Sequence, residues 1–180
     1  MLVKADGRAA PALRPAPTAL GIAAVAVATI LGAYVFQYVV KLAPCPLCLE
    51  QRVPYYVGIP VALAVAFGAA RGEPAGAVRL GFALLALIFL AGAGLGVYHA
   101  GIEWKLWPGP TECSGAMPPI STTMDLIHAM ETTSVVRCDE AAWRFLGLSL
   151  AGYNVLISLA LAAVAAVTAW RGPAAVPKAA

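Results

Sequence analysis

LGFALLALIFLAGAGLGVYHAGI, residues 80–102, is a run of 23 positions without a charged side chain. A bilayer core takes about 20 apolar residues per helix, so this stretch reads as a membrane span. Three other uncharged windows match it: Leu20–Val40, Val53–Ala70 and Phe145–Trp170. The whole chain is 61% hydrophobic and only 12% charged, where a soluble domain carries roughly a quarter charged residues. The reading is an all-α membrane protein, one integral-membrane domain over residues 1–180, built as a four-transmembrane-helix bundle. The first window is longer than the roughly 7–15 apolar residues of a signal peptide, and three spans follow it, so it is taken as a retained helix.

The spacing of small residues in the quoted run has a packing meaning. Gly92, Gly94 and Gly96 do not follow a strand and do not have the dinucleotide-binding spacing. They predict close approach to a neighbouring helix. Pro54 and Pro60 in the second window predict a kink rather than a break, provided neighbours satisfy the freed carbonyls. Ser149, Asn154 and Ser158 in the fourth are candidates for hydrogen bonds between helices.

Four spans put both termini on one side of the membrane. That side carries Lys4, Arg8, Arg14, Arg71, Arg79, Arg171 and Lys178 against Asp6 and Glu73. The other side carries most of the acids, including Glu103, Glu112, Asp125, Glu131, Asp139 and Glu140. The positive-inside rule then places both termini in the cytoplasm, with residues 1–17 as a mobile cytoplasmic tail, 103–142 as a periplasmic loop and 171–180 as a cytoplasmic tail. The net charge of +3 belongs to the cytoplasmic edge and calls for no nucleic-acid partner. Trp104 and Trp107 are interface anchors, and residues 124–131 predict a short interfacial helix in the second periplasmic loop.

All four cysteines fall on the non-cytoplasmic side, where disulfides persist. Cys45 and Cys48 form a C-x-x-C pair in "APCPLCLEQR", residues 43–52. Pro46 suits the first turn of a helix, which puts Cys45 where helix N–H groups stabilise a thiolate. Thiol–disulfide exchange needs that thiolate. Cys113 and Cys138 lie 25 residues apart in the long outer segment. They read either as a disulfide that swings out to meet a partner or as a static staple. A four-cysteine zinc site is a weaker reading, because Cys113 and Cys138 lack the paired spacing of a second half-site. Arg52 is a cation at the start of an apolar window. It reads either as a side chain that snorkels to lipid phosphate or as a donor to a polar ligand near the cysteines.

"PCPLCLEQR", "YHAGIEWKLWPGPTEC" and "CDEAAWRFLGLSLAGYN" together resemble the disulfide bond formation protein B (DsbB) family of bacterial inner-membrane, quinone-coupled thiol oxidases. The resemblance covers nearly the whole chain. It implies that Cys45, Cys48, Cys113 and Cys138 are catalytic, that Arg52 lines a quinone site with His99 near it, and that the oxidant is ubiquinone or menaquinone. It implies a soluble periplasmic thioredoxin-like disulfide oxidase (DsbA-like) as protein partner, besides membrane lipid and quinone, and no resident metal. Electrons would pass from that partner to Cys113–Cys138, then to Cys45–Cys48, then to quinone. The alternatives are a vitamin K epoxide reductase-like quinone/thiol enzyme, an outward-directed thiol reductase, and a structural zinc-binding membrane protein.

Overall fold

The structure is a computed structural model and describes residues 14–110, 123 and 137–171. Cys113 and the predicted interfacial helix over 124–131 lie outside the described residues. The elements are α1 (Pro15–Tyr34), a π-helical turn (Val35–Val39), α2 (Pro46–Glu50), α3 (Val53–Ala70), α4 (Ala75–Glu103), β1 (Arg144–Phe145), β2 (Leu148–Ser149) and α5 (Leu150–Arg171). Among the described residues, four helical stretches are long and apolar enough to span a membrane: Pro15–Val39, Pro46–Ala70, Ala75–Glu103 and Leu150–Arg171. Their outward faces carry exposed Leu31, Leu63, Leu87 and Leu159, as lipid contact requires.

Each boundary has a local cause. Pro15 and Pro46 sit in the first turns of their helices, where a missing N–H costs nothing. Pro60 lies inside α3 without ending it. Arg71–Pro74 makes the short turn into α4, with Gly72 at φ +78°. The fourth span begins at Leu150 rather than at Phe145, because residues 144–149 form an antiparallel hairpin instead. Leu146 and Gly147 at its tip both have positive φ, the geometry that lets two-residue hairpin loops follow strand twist.

The core runs along the seams between α1 and α3, α3 and α4, and α4 and α5. Phe82, Leu85 and Phe89 are fully buried, among small residues such as Ala62 and Ala165. Gly92 and Gly96 of the third span make the close approach that their spacing predicts, and Gly94 does not. A Cβ on Gly96 would stand 2.8 Å from Val155 Cγ2, and one on Gly92 3.1 Å from Pro54 Cβ, whereas Gly94 faces open space. Thus α4 lies flush along α5, α1 along α3, and α3 against α4, while α1 and α5 barely touch. The bundle is left open on that side.

Candidate functional site

Cys45 is the N-cap residue of α2, and the Cys48 backbone N–H donates to its sulfur at 3.3 Å. The two sulfurs are 3.0 Å apart and both are free thiols. Cys45 Sγ also lies 3.8 Å from His99 Nε2. These donors lower the Cys45 pKa from 9.0 to about 5. The Cys48 thiol contributes most; burial opposes the shift; His99 and the Cys48 N–H add to it. Cys45 is therefore the more readily ionised sulfur of the pair.

Cys138 comes to the same place from the far end of the chain. It is disulfide-bonded and buried in one cluster with Cys45, Leu47 and Ile102. Its sulfur, the Cys45 sulfur and a His99 ring nitrogen lie within 4.8 Å of one another. Cys113, the expected disulfide partner, lies outside the described residues. A sulfur already bound in a disulfide is not a thiolate donor, so this cluster has the composition of an exchange site: a thiolate facing a disulfide.

The hydrogen bonds around His99 fix its tautomer. Gln51 Nε2 donates to the Leu47 carbonyl at 3.3 Å and to His99 Nδ1 at 2.6 Å. Gln51 Oε1 accepts from Asn154 Nδ2 at 2.7 Å. The Leu47 carbonyl requires the amide NH2 on its side, so Nδ1 is an acceptor and the ring proton sits on Nε2, facing Cys45. The chain continues inward, since Tyr55 donates to Asn154 Oδ1 at 2.7 Å and lies 2.9 Å from Ser158 Oγ. Asn154 and Ser158 thus bond between helices as predicted. Ser149 does not: its Oγ accepts from Gly152 N–H within the start of α5.

The other sulfur of the pair faces a different space. Cys48 lines a cavity of about 650 Å³ in the gap between α1 and α5, together with Gln37, Gln51, Arg52, Tyr55 and Trp143. Arg52 is buried, donates from Nη1 to Gln37 Oε1 at 2.8 Å, and stands 5.4 Å from the centroid of the Tyr34 ring. The walls are otherwise mostly aliphatic and aromatic, as in Val25, Ile30 and Phe36. The size suits a small ring with part of an apolar tail. This residue set could hold a quinone head group, with the Arg52 guanidinium at one end, the Cys48 thiol on the wall and otherwise mostly apolar lining. His99, expected near this site, is not on that wall. Its position on α4 turns it toward α2, where it meets Cys45 and Gln51 instead.

A family model described as "Disulfide bond formation protein DsbB" matches residues 15–168. The chain belongs to the DsbB family. A Disulfide bond formation protein B from Xanthomonas campestris pv. campestris (strain 8004) is 32% identical over 138 residues, 73% of this chain and 78% of the relative. One from Aromatoleum aromaticum is 29% identical over 151 residues, 82% of this chain and 87% of the relative. No solved structure matches the chain. As a DsbB-family member it is a multi-pass bacterial membrane protein of disulfide bond formation, a disulfide oxidoreductase.

Within this DsbB-family site, sequence reasoning missed Gln37, Gln51, Tyr55 and Glu103. Each had a signal. Gln37 is a lone amide in the first apolar window, Gln51 adjoins Arg52, and Glu103 follows His99 by four residues, one helical turn on.

Proposed function

We propose that the protein is a thiol:quinone oxidoreductase that reoxidises a periplasmic thioredoxin-like disulfide oxidase. The observation that carries this reading is the division of labour within one C-x-x-C pair. Cys45 faces the disulfide-bonded Cys138, and Cys48 faces the large apolar cavity. This division would let one sulfur exchange with a second cysteine pair while the other contacts a lipid-soluble acceptor.

A quinone, ubiquinone or menaquinone, supplies an acceptor for two electrons and two protons. Arg52 and Gln37 would hold its head group, and Gln51 lies between that end and His99. The reduced partner would deliver its electrons to Cys113–Cys138. A Cys138 thiolate would then attack Cys45 in the Cys45–Cys48 disulfide, and Cys113 would resolve the mixed disulfide by attacking Cys138. Two electrons would thereby rest on the Cys45–Cys48 dithiol, next to the cavity. The charge asymmetry of the termini supports a cytoplasmic position for both ends and a periplasmic position for all four cysteines.

The test is quinone reduction by the purified protein, given a reduced thioredoxin-like donor. Cys113→Ser or Cys138→Ser should block oxidation of the protein donor and spare oxidation of a small dithiol, which reaches Cys45–Cys48 directly. Equal loss with both donors would make the second pair a staple. No quinone reduction with either donor would reject the reading.

A further inference from the structure

Glu103 ends α4 one turn beyond His99, and its side chain is only 5% exposed. Its Oε2 is buried with no hydrogen-bond partner among the described residues. A buried carboxylate oxygen left unsatisfied is costly and calls for an explanation. Oε1 lies 3.9 Å from His99 Nε2, the same ring nitrogen that faces Cys45. Glu103 also lines a second, small cavity of about 30 Å³ with Cys45, Cys48, His99, Arg137 and Glu140. That space holds about one water molecule, and Glu103 and Cys48 both line it. Cys48 therefore stands between two cavities, a large apolar one and a small polar one.

We infer that Glu103 is the proton carrier of the Cys45–Cys48 pair, taking the Cys48 proton when the pair is oxidised. This rests on Cys45–Cys48 being the redox pair of the family's reaction. His99 is unsuited to the task, because its Nδ1 already accepts from Gln51 and its Nε2 already carries a proton. The other groups facing Glu103 are Cys45, which is a thiolate, and Arg137 and Glu140. Both are more than half exposed, with Arg137 paired to Asp139 and Glu140. Oxidation of the pair removes two electrons and one proton. The Cys48 S–H bond breaks, the Cys45–Cys48 S–S bond forms, and an O–H bond forms on Glu103 Oε2, directly or through one water. The electron pair leaves to a two-electron oxidant, whose own protons come from water. Glu103 then loses its proton to water through the exposed Arg137–Glu140 mouth, so this proton never crosses the apolar cavity.

The experiment uses the full chain in detergent, free of quinone, with Cys113 and Cys138 replaced by Ser. The reduced Cys45–Cys48 pair is oxidised by saturating diamide, a small azo-dicarboxamide that takes two electrons, and the rate is followed against pH. With Glu103 present, the rate should stay nearly flat down to about pH 6. Glu103→Gln, which is isosteric, should slow it roughly a hundredfold near pH 6, in the range of general-base effects, and the gap should close toward pH 9. Glu103→Asp should restore part of the flat limb. A Gln variant with an unchanged profile overturns the inference, and so does one slowed by the same factor at every pH. If Glu103→Gln cannot be obtained folded, the Asp variant decides alone, by keeping or losing the flat limb. Because the assay holds no quinone, its failure leaves the quinone reading untouched.

Discussion

Arg52 Nη1 donates to Gln37 Oε1 at 2.8 Å, across the gap between the start of α3 and the π-helical turn that ends the first span. The turn matters because it rotates Gln37 onto the cavity wall, and π-helical turns recur at functional sites. The Tyr34 ring packs beside the guanidinium, and its hydroxyl lies 3.0 Å from the Tyr56 hydroxyl. Arg52→Lys keeps the charge but loses the planar fork of donors. A lost charge-assisted hydrogen bond costs about 1.5–3 kcal/mol, so the apparent quinone KM should rise roughly ten- to a hundredfold. Thiol exchange between the pairs should be intact. Unchanged quinone kinetics in this variant would reduce Arg52 to a lipid anchor.

The Cys45 thiolate gives a second expected outcome. In protein reduced at Cys45–Cys48, with the other two cysteines replaced by Ser, ultraviolet thiolate absorbance should titrate with a midpoint near 5. The folded value is depressed below the ordinary 9.0, so the stabilisation of the reduced fold is complete above that value and is lost as pH falls through about 5. Cys48→Ala removes the largest cause and should raise the midpoint more than His99→Ala does. A midpoint in the ordinary thiol range would reject the N-cap and hydrogen-bond account.

Gly96 and Gly94 make a matched pair for the packing. Gly96→Val would drive its Cβ into Val155, at 2.8 Å from Cγ2 and 3.3 Å from the backbone N. Overpacking of this kind costs about 1–3 kcal/mol, and it would shift Asn154, the partner of Gln51. Gly94→Ala meets nothing within 4 Å and should be neutral or slightly stabilising. Thermal melting in detergent separates the two. Equal effects would mean that α4 and α5 do not lie as close as described.

The four spans, the closely packed glycines and the N-cap position of Cys45 were legible because each depends on local sequence: absence of charge, small-residue spacing, and a proline in the first turn. The network around His99 was not, because it depends on which face of α4 meets α2. Helix rotation in an apolar bundle is set by side-chain fit, which a window of Leu, Ala and Gly does not reveal. The same holds for Gln37, whose facing follows from five residues wound as a π-helix rather than an α-helix. All of the hairpin but Arg144 was hidden inside an uncharged window, where hydropathy alone starts the last span at Phe145 instead of Leu150.

Lys105 and Asp139 supply the last prediction. Lys105 Nζ reaches Asp139 Oδ2 at 2.7 Å and its backbone carbonyl at 2.9 Å, while Arg137 donates to the same carboxylate from Nε and Nη2, each at 3.0 Å. Lys105 first, and then Arg137 against the opposing effect of burial, holds the Asp139 carboxyl below its ordinary range. The clasp ties the end of α4 to the residue after Cys138, and so keeps that sulfur against Cys45. Exposed ion pairs are individually weak and screened by salt, so the clasp would open readily if the second cysteine pair turns to a protein partner as proposed. With Cys48 and Cys113 replaced by Ser, mild oxidation should join Cys45 to Cys138. Asp139→Asn should slow that closure about two- to fivefold. High salt should slow closure in the protein that keeps Asp139 and leave the Asp139→Asn variant unchanged. The depressed carboxyl contributes above its ordinary range and ceases to as pH falls through the lowered value, so the two proteins should converge in acid. Closure rates equal in both proteins at low salt and neutral pH would mean that burial of Cys138 against Leu47 and Ile102 alone holds it in place.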